Sequence, residues 1–453
     1  MAGSITIKRG KDIKLVGASE KTLHPYSSAD VVALKPTDFN GVTPKLLVKE
    51  GEEVKAGTPI FYEKQNDRVK FASPVSGEVT EIVRGAKRKI LEIRILADKE
   101  IRYEEFGAAD SSAMSKEQVT DKLLDAGMWP LIRQRPFSII ADPFSMPRDI
   151  IISGFDSAPL GPEMDFILQG QEREFQAGVN ALSRLTKGKV RLNVSSKHHG
   201  ATVYKDIEGV DKTEFSGPHP AGNVSVQVHH TEPLNKGEVI WFVYPQEVVI
   251  IGRLFLTGRY EATRRIAING SMINKPAYAE VMGGTNIKGL LAGQLKEGHV
   301  RVISGNVLTG RQVAEDGFLG FFSSQVCAIP EGDHHKFLLT EGWLSPGFNR
   351  FSMSRAYPSW LMPNKTYDLD TNLNGEIRSF VMTGQMEKVF PFDIYPMQLI
   401  KAVMANDIDK MESMGIYEVD AEDFALCEVV CTSKIDIQKV IREGMESLRM
   451  EIA

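Results

Sequence analysis

The sequence predicts a multidomain α/β protein with a β-rich start and a helical end, and three patterns carry that prediction. Short apolar runs punctuated by glycine fill the first hundred residues. Strand-like and helix-like segments alternate from about 121 to 258. Amphipathic stripes at helical spacing close the chain. At 453 residues the chain has room for about three or four domains.

The elements follow in order. Residues 1–100 read as one β module. Glu-Gly-Glu-Glu-Val-Lys-Ala-Gly-Thr-Pro-Ile-Phe at 50–61 and Ser-Pro-Val-Ser-Gly-Glu-Val at 73–79 are two strand–turn–strand units. Together they resemble the halves of a biotinyl/lipoyl-type barrel sandwich. In such carriers a lysine flanked by methionines tips the hairpin between the halves. Here the tip is Glu-Lys-Gln-Asn-Asp at 63–67, and Lys64 lacks those methionines, which favours a structural module over a carrier. Residues 101–120 are polar and read as a linker opening a second domain, 101–258. Its short apolar strands fall at 138–141, 149–153, 189–194 and 239–243, with helical spacing over 163–185 and 246–255. That alternation implies a Rossmann-like α/β layer on a largely parallel sheet. Residues 259–345 carry strands at 266–268, 298–303 and 318–322 with glycines between, and read as a β-grasp-like module. Residues 346–453 read as mainly helical. Leu399, Ile400, Val403, Met404 and Ile408 form one stripe, and Ile437, Val440, Ile441, Met445, Leu448 and Ile452 a second. Ten of the 17 methionines lie beyond residue 350, as core filler or as a docking face.

Composition excludes several function classes. A net charge of −5 with 25% charged residues gives nothing for a nucleic-acid partner. The dense basic cluster Arg84, Lys87, Arg88 and Lys89 reads as a solvated hairpin tip, the alternative being an anionic lipid or acidic partner. No secretory leader is expected, and three cysteines fit a reducing cytoplasm. The most apolar stretch, 239–256, is broken by Pro245, Gln246, Glu247 and Arg253, so no bilayer-spanning segment is expected. Cys427 and Cys431 alone fall short of a four-thiolate cluster, and the paired histidines His198–His199, His229–His230 and His334–His335 suggest no zinc set. No Gly-x-Gly-x-x-Gly, phosphate loop, His-Glu-x-x-His or Gly-x-Ser-x-Gly motif occurs.

Two segments stand out. In Phe-Ser-Gly-Pro-His-Pro-Ala-Gly, 215–222, prolines flank His219 and glycines turn the chain at both ends. This is a stiff loop that presents an imidazole, or a rigid connector. In Ala-Gly-Met-Trp-Pro-Leu-Ile-Arg-Gln-Arg-Pro-Phe, 126–137, flat apolar surface meets cationic donors: Trp129, Arg133, Arg135 and Phe137. A quinone head group suits such a place, and so does packing against a neighbouring subunit.

These two segments, with 239–258, 301–311 and 420–431, resemble the A-subunit family of bacterial sodium-translocating NADH:quinone reductases, related to the flavin-bearing NADH-binding subunit of respiratory complex I. The resemblance covers essentially the whole chain. It implies a translocase of six subunits that oxidises NADH, reduces ubiquinone and pumps sodium ions. This chain would be a peripheral subunit on the cytoplasmic side of the bacterial inner membrane. Five other subunits, mainly integral membrane ones, would be its partners and would hold the NADH site, FAD, FMN and iron–sulfur centres. The chain itself would have no tightly bound cofactor and no catalytic or metal residue, acting as scaffold and quinone contact. In the complex I relative a glycine-rich segment ending in Phe-Pro-Thr cradles flavin phosphate; here Met128, Trp129, Pro130 and Leu131 occupy its nearest counterpart. The rival expectation is a soluble flavin- or NADH-binding dehydrogenase subunit.

Overall fold

The computed structural model describes residues 3–24, 30–197 and 203–452; His198 and His199 lie outside them. Four sheets organise the chain. Strands Val31–Leu34, Ile90–Ala97, Gly77–Arg84 and Glu53–Val54 form one, and Pro44–Leu46, Pro59–Glu63 and Asn66–Ala72 face it as the other half of the barrel sandwich. Alternating inward residues close its core: Phe61 and Phe71 stack at 4.3 Å, over Val79, Ile93 and Ile95, all buried. Arg84, Lys87, Arg88 and Lys89 lie at the hairpin end joining Gly77–Arg84 to Ile90–Ala97.

The α/β layer is a seven-stranded sheet in the order Gly3–Thr6, Asp211–Ser216, Val190–Ser195, Ile150–Ser153, Ile240–Val243, Arg133–Arg135, Ile139–Ile140. The first five strands are parallel, and the last two return antiparallel as a hairpin edge. Strand Ile150–Ser153 is buried along its length, as a parallel strand covered on both faces must be. Helices Glu172–Arg184 and Pro245–Thr257 cross at glycine. A Cβ at Gly252 would sit 1.8 Å from the Glu174 carbonyl oxygen, and one at Gly178 2.0 Å from that of Val248. No side chain fits there, so the helices pack backbone to backbone. The helical spacing over 163–185 resolves into two helices, Met164–Leu168 and Glu172–Arg184, divided at Gly170 with φ of 80°.

The third region is a six-stranded sheet with helix Ile287–Leu291 packed on Ile266 and Ile268. The strand expected at 318–322 is instead Gln325–Pro330. Apolarity at 318–322 serves another purpose: the rings of Phe321 and Phe322 lie 4.8 and 5.7 Å from Phe39 of the barrel. The first residues of the chain also leave the barrel. Gly3–Thr6 pairs with Asp211–Ser216, and Leu23–His24 with Ala277–Met282. A two- to four-residue strand is too short to announce its partner. Helices at the end are Pro396–Met404, Ile408–Ser413, Ala425–Val430 and Ile437–Ile452. The stretch before them holds 3-10 turns alone among helical elements, as Pro346, Pro358 and Pro363 dictate. His229 and His230 sit on helix Val224–Thr231, where His229 contacts Glu418 at 2.7 Å. No helix among the described residues is long and apolar enough to cross a membrane.

Candidate functional site

In an open parallel sheet the crevice lies beyond the carboxyl ends of the strands, where strand order reverses. Here that point falls between Ile150–Ser153 and Ile240–Val243. A cavity of about 480 Å³ opens at this position, walled by all four regions: Lys35 and Asp38 from the barrel, Arg133 and His219 from the α/β layer, Phe322 from the third sheet, and Glu422 from the C-terminal region. A second cavity, about 630 Å³, lies across the 155–164 segment. Of its lining groups, the Tyr204 hydroxyl donates to the Gly154 carbonyl and Lys212 Nζ to that of Lys205. The first cavity holds unengaged groups, which is why it is the candidate site.

Arg133 is the foremost of these. Strand Arg133–Arg135 places it opposite Phe242, and its guanidinium lies 4.5 Å from that ring, 5.0 Å from Tyr244 and 3.9 Å from Phe322. Its Nε is buried with no hydrogen-bond partner, and no carboxylate pairs with it among the described residues. Burial pulls its pKa below the usual arginine value, partly offset by Tyr244 and Glu247. A cation held by ring faces retains its hydrogen-bond donors for a ligand.

His219 is the second. It is 3% exposed. Its backbone N–H donates to Asp12 Oδ1 at 2.9 Å, and its carbonyl accepts from the Lys11 N–H at 2.8 Å, so the N-terminal segment clasps the loop. Gly10, φ 136°, allows that clasp: a Cβ there would meet the His219 carbonyl oxygen at 2.1 Å. Nδ1 contacts Ser157 Oγ at 3.0 Å, Nε2 is buried without a partner, and the residue is part of the cavity lining. Burial lowers the imidazole pKa to about 4, against the opposing pull of Asp12, so His219 is neutral at physiological pH.

The remaining expected site residues are placed differently. Trp129 is fully buried, its Nε1 donating to the Ala141 carbonyl at 2.7 Å and its ring edge-on to Trp241 at 5.4 Å. Met128 and Leu131 beside it are buried as well. Arg135 is committed to structure. Its guanidinium bonds Asp420 and Ser138 and reaches Glu422 at 2.7 Å, tying the edge strand to the C-terminal region. Phe137, with φ of 79°, packs edge-on to Tyr417 at 6.2 Å. Of the five residues, the cavity brings together Arg133 and His219.

Sequence reading missed Tyr244, Phe322, Phe155 and Asp156. Tyr244 carried a legible signal: it precedes Pro245, which opens a helix directly after an apolar strand, where crevices form. Asp156 is partly buried at the cavity, its carboxyl pushed up by desolvation. Cys427 and Cys431 are both buried, and the Cys427 thiol is likewise pushed up by burial.

The chain matches three family models: the NqrA N-terminal barrel-sandwich hybrid domain over 5–98, the NqrA second alpha/beta domain over 114–260, and the NQRA C-terminal domain over 265–315. It is 36% identical over 450 residues to the A subunit of the Na(+)-translocating NADH-quinone reductase of Yersinia pseudotuberculosis, covering 99% of this chain and 100% of that one. It is 34% identical to the corresponding A subunit of Rhodopirellula baltica, with 98% of each covered. Among solved structures it matches an NAD+-reducing [NiFe]-hydrogenase at 11% identity and a TM-score of 0.37, over 78% of this chain and 67% of that one.

Proposed function

Because the chain belongs to the A-subunit family of the Na(+)-translocating NADH-quinone reductases, we propose that it is the peripheral scaffold on the cytoplasmic side of such a pump and that its central cavity contacts the quinone. Five partner subunits, mainly integral membrane ones, hold it there. The complex oxidises NADH, reduces quinone and exports sodium ions. FAD, FMN, the iron–sulfur centres and the NADH site lie on partners, and this chain binds no flavin of its own. The buried, packed side chains of Met128, Trp129 and Leu131 support that reading, since the resemblance sets this segment against the glycine-rich flavin turn of the complex I relative.

One observation carries the quinone contact: two buried nitrogens without partners, Arg133 Nε and His219 Nε2, belong to residues lining the same cavity. A quinone ring stacks on aromatic faces such as Phe322, and its carbonyl oxygen accepts from the guanidinium. Reduction places negative charge on the ring oxygens, and the adjacent cation stabilises it in a low-dielectric setting. Trp129, Arg135 and Phe137 support the wall rather than touch the ring. The test is the assembled complex carrying Arg133→Gln. Losing a charged hydrogen bond costs about 1.5–3 kcal/mol, so half-saturating quinone should rise roughly ten- to hundredfold. NADH oxidation by an artificial acceptor should survive. Unchanged quinone dependence in that variant refutes the contact.

A further inference from the structure

Five carboxyl side chains line the first cavity, and their partners divide them. Asp38 pairs with Lys35 at 3.7 Å and with Arg311 at 3.6 Å, and Glu247 with Arg264 at 3.3 Å. Asp420 and Glu422 both pair with Arg135, the latter at 2.7 Å. Asp156 differs: no cation pairs with it among the described residues. Its one hydrogen bond there runs from the Ala158 N–H to Oδ1 at 2.7 Å, which leaves Oδ2 uncommitted. Desolvation pushes its pKa up, the Ala158 bond pulls it back, and Glu422 raises it again. Of the five, the carboxyl without a cation holds a proton most readily.

Its place in the fold also sets Asp156 apart. It closely follows strand Ile150–Ser153 and lines the second cavity as well as the first, as Phe155, Ala158 and Met164 do. That second cavity reaches the surface, since Lys14, Lys197 and Lys205 in its lining are exposed.

We propose that Asp156 is the proton donor to the quinone and that the second cavity supplies it with protons from solvent. The proposal rests on the quinone contact of the first cavity and adds a catalytic residue to it. A quinone takes up two electrons, which the complex draws from NADH, and two protons to become quinol. Arg133 stabilises charge on a ring oxygen but keeps its own protons, and neutral His219 has none to spare. Asp156 fills that gap. Its carboxyl O–H bond breaks, the electron pair stays on Oδ2, and the proton bonds to the reduced ring oxygen. The carboxylate then takes a proton from water in the second cavity, and bulk solvent restores it. The other ring oxygen takes its proton from solvent. A bound quinone displaces water from the first cavity, which favours the protonated carboxyl further.

The test is the assembled complex carrying Asp156→Asn, which keeps an oxygen for the Ala158 N–H. Turnover at saturating quinone should fall roughly tenfold or more. Half-saturating quinone should stay within about twofold of the wild-type value, because the amide still donates a hydrogen bond. NADH oxidation by an artificial acceptor should be unchanged, and Asp156→Glu should restore most of the turnover. Infrared difference spectra of the quinone-loaded wild-type complex should show a protonated-carboxyl band that Asp156→Glu shifts, a readout that does not need the Asn variant to assemble. Wild-type turnover in Asp156→Asn overturns the proposal. So does a raised half-saturating quinone at unchanged turnover, which makes Asp156 a binding group, and so does an ionised Asp156 in the loaded complex. If Arg133→Gln raises half-saturating quinone while Asp156→Asn turns over normally, the contact stands and the proton donor falls.

Discussion

The loops at 126–137 and 215–222 look alike in sequence and have opposite fates in the structure. Each is stiffened by proline and carries a polar aromatic residue directly followed by one. In the first, Trp129 finds a carbonyl for its Nε1 and a ring for its edge, and the residue vanishes into the core. In the second, His219 satisfies its backbone and Nδ1, leaves Nε2 buried without a partner, and lines a cavity. Residue type did not decide between core and site; the surroundings did, Trp129 meeting core partners and His219 a cavity. A buried polar atom with no partner is costly, so its persistence points to a ligand more strongly than does an aromatic–cationic pattern.

Trp129→Ala is the sharpest way to break that contrast. Removing a fully buried tryptophan leaves a cavity where the barrel meets the α/β layer and should cost about 3–5 kcal/mol in denaturant unfolding. Quinone dependence in whatever complex assembles should be normal. A loss below about 1 kcal/mol would show that the loop is a surface element.

Acid and base titration divides the two neighbourhoods next. His219 has a folded pKa of about 4, below its unfolded value near 6.5, so the folded state binds fewer protons between those limits. Its contribution is whole above about pH 6.5 and is lost as pH falls toward 4. Asp423, buried beside Glu422 and bonded to Asn223 at 2.9 Å, is raised to about 7, chiefly by burial. Its folded state binds more protons than the unfolded chain, so its contribution is whole below about pH 4 and declines as pH rises toward 7. Each trend is at most about 1.4 kcal/mol per pH unit, and in the native chain they oppose. His219→Gln should therefore leave a stability that falls with rising pH between 4.5 and 6.5, and Asp423→Asn one that rises. Parallel slopes in the two variants would break the assignment.

What was legible in the sequence followed periodicity. Strand Ile150–Ser153 announces itself as a short unbroken apolar run, and helix Ile437–Ile452 because burial repeats about every 3.6 residues. The barrel was legible through turn chemistry at Gly51, Gly57 and Gly77, each with positive φ. The cavity was half legible. Arg133 and His219 were found by residue type, but Phe322 and Glu422 arrive from distant segments that no local pattern links to them. Trp129 misled because a tryptophan looks the same in sequence whether its N–H meets a carbonyl or a ligand. Strand Gly3–Thr6 went unread as part of the α/β sheet because its partner lies some two hundred residues away.

The smallest effect belongs to Lys64, a third loop tip that completes the comparison. Lys64 is exposed in the two-residue turn between Pro59–Glu63 and Asn66–Ala72, where a carrier domain would present its modified lysine. Its neighbour Glu63 is committed to folding the turn: Oε2 accepts from the Thr43 N–H at 2.7 Å and Oε1 from that of Gln65 at 3.2 Å. The Lys64 backbone N–H donates to the Thr43 carbonyl at 2.9 Å, leaving the side chain without any structural duty shown by these bonds. Lys64→Ala should therefore shift stability by less than about 0.5 kcal/mol and leave turnover of the complex unchanged. The peptide that spans Lys64 in the native chain should have its unmodified mass. A biotinyl- or lipoyl-sized increment on Lys64 would place this tip with His219, among loops kept for a ligand, rather than with Trp129.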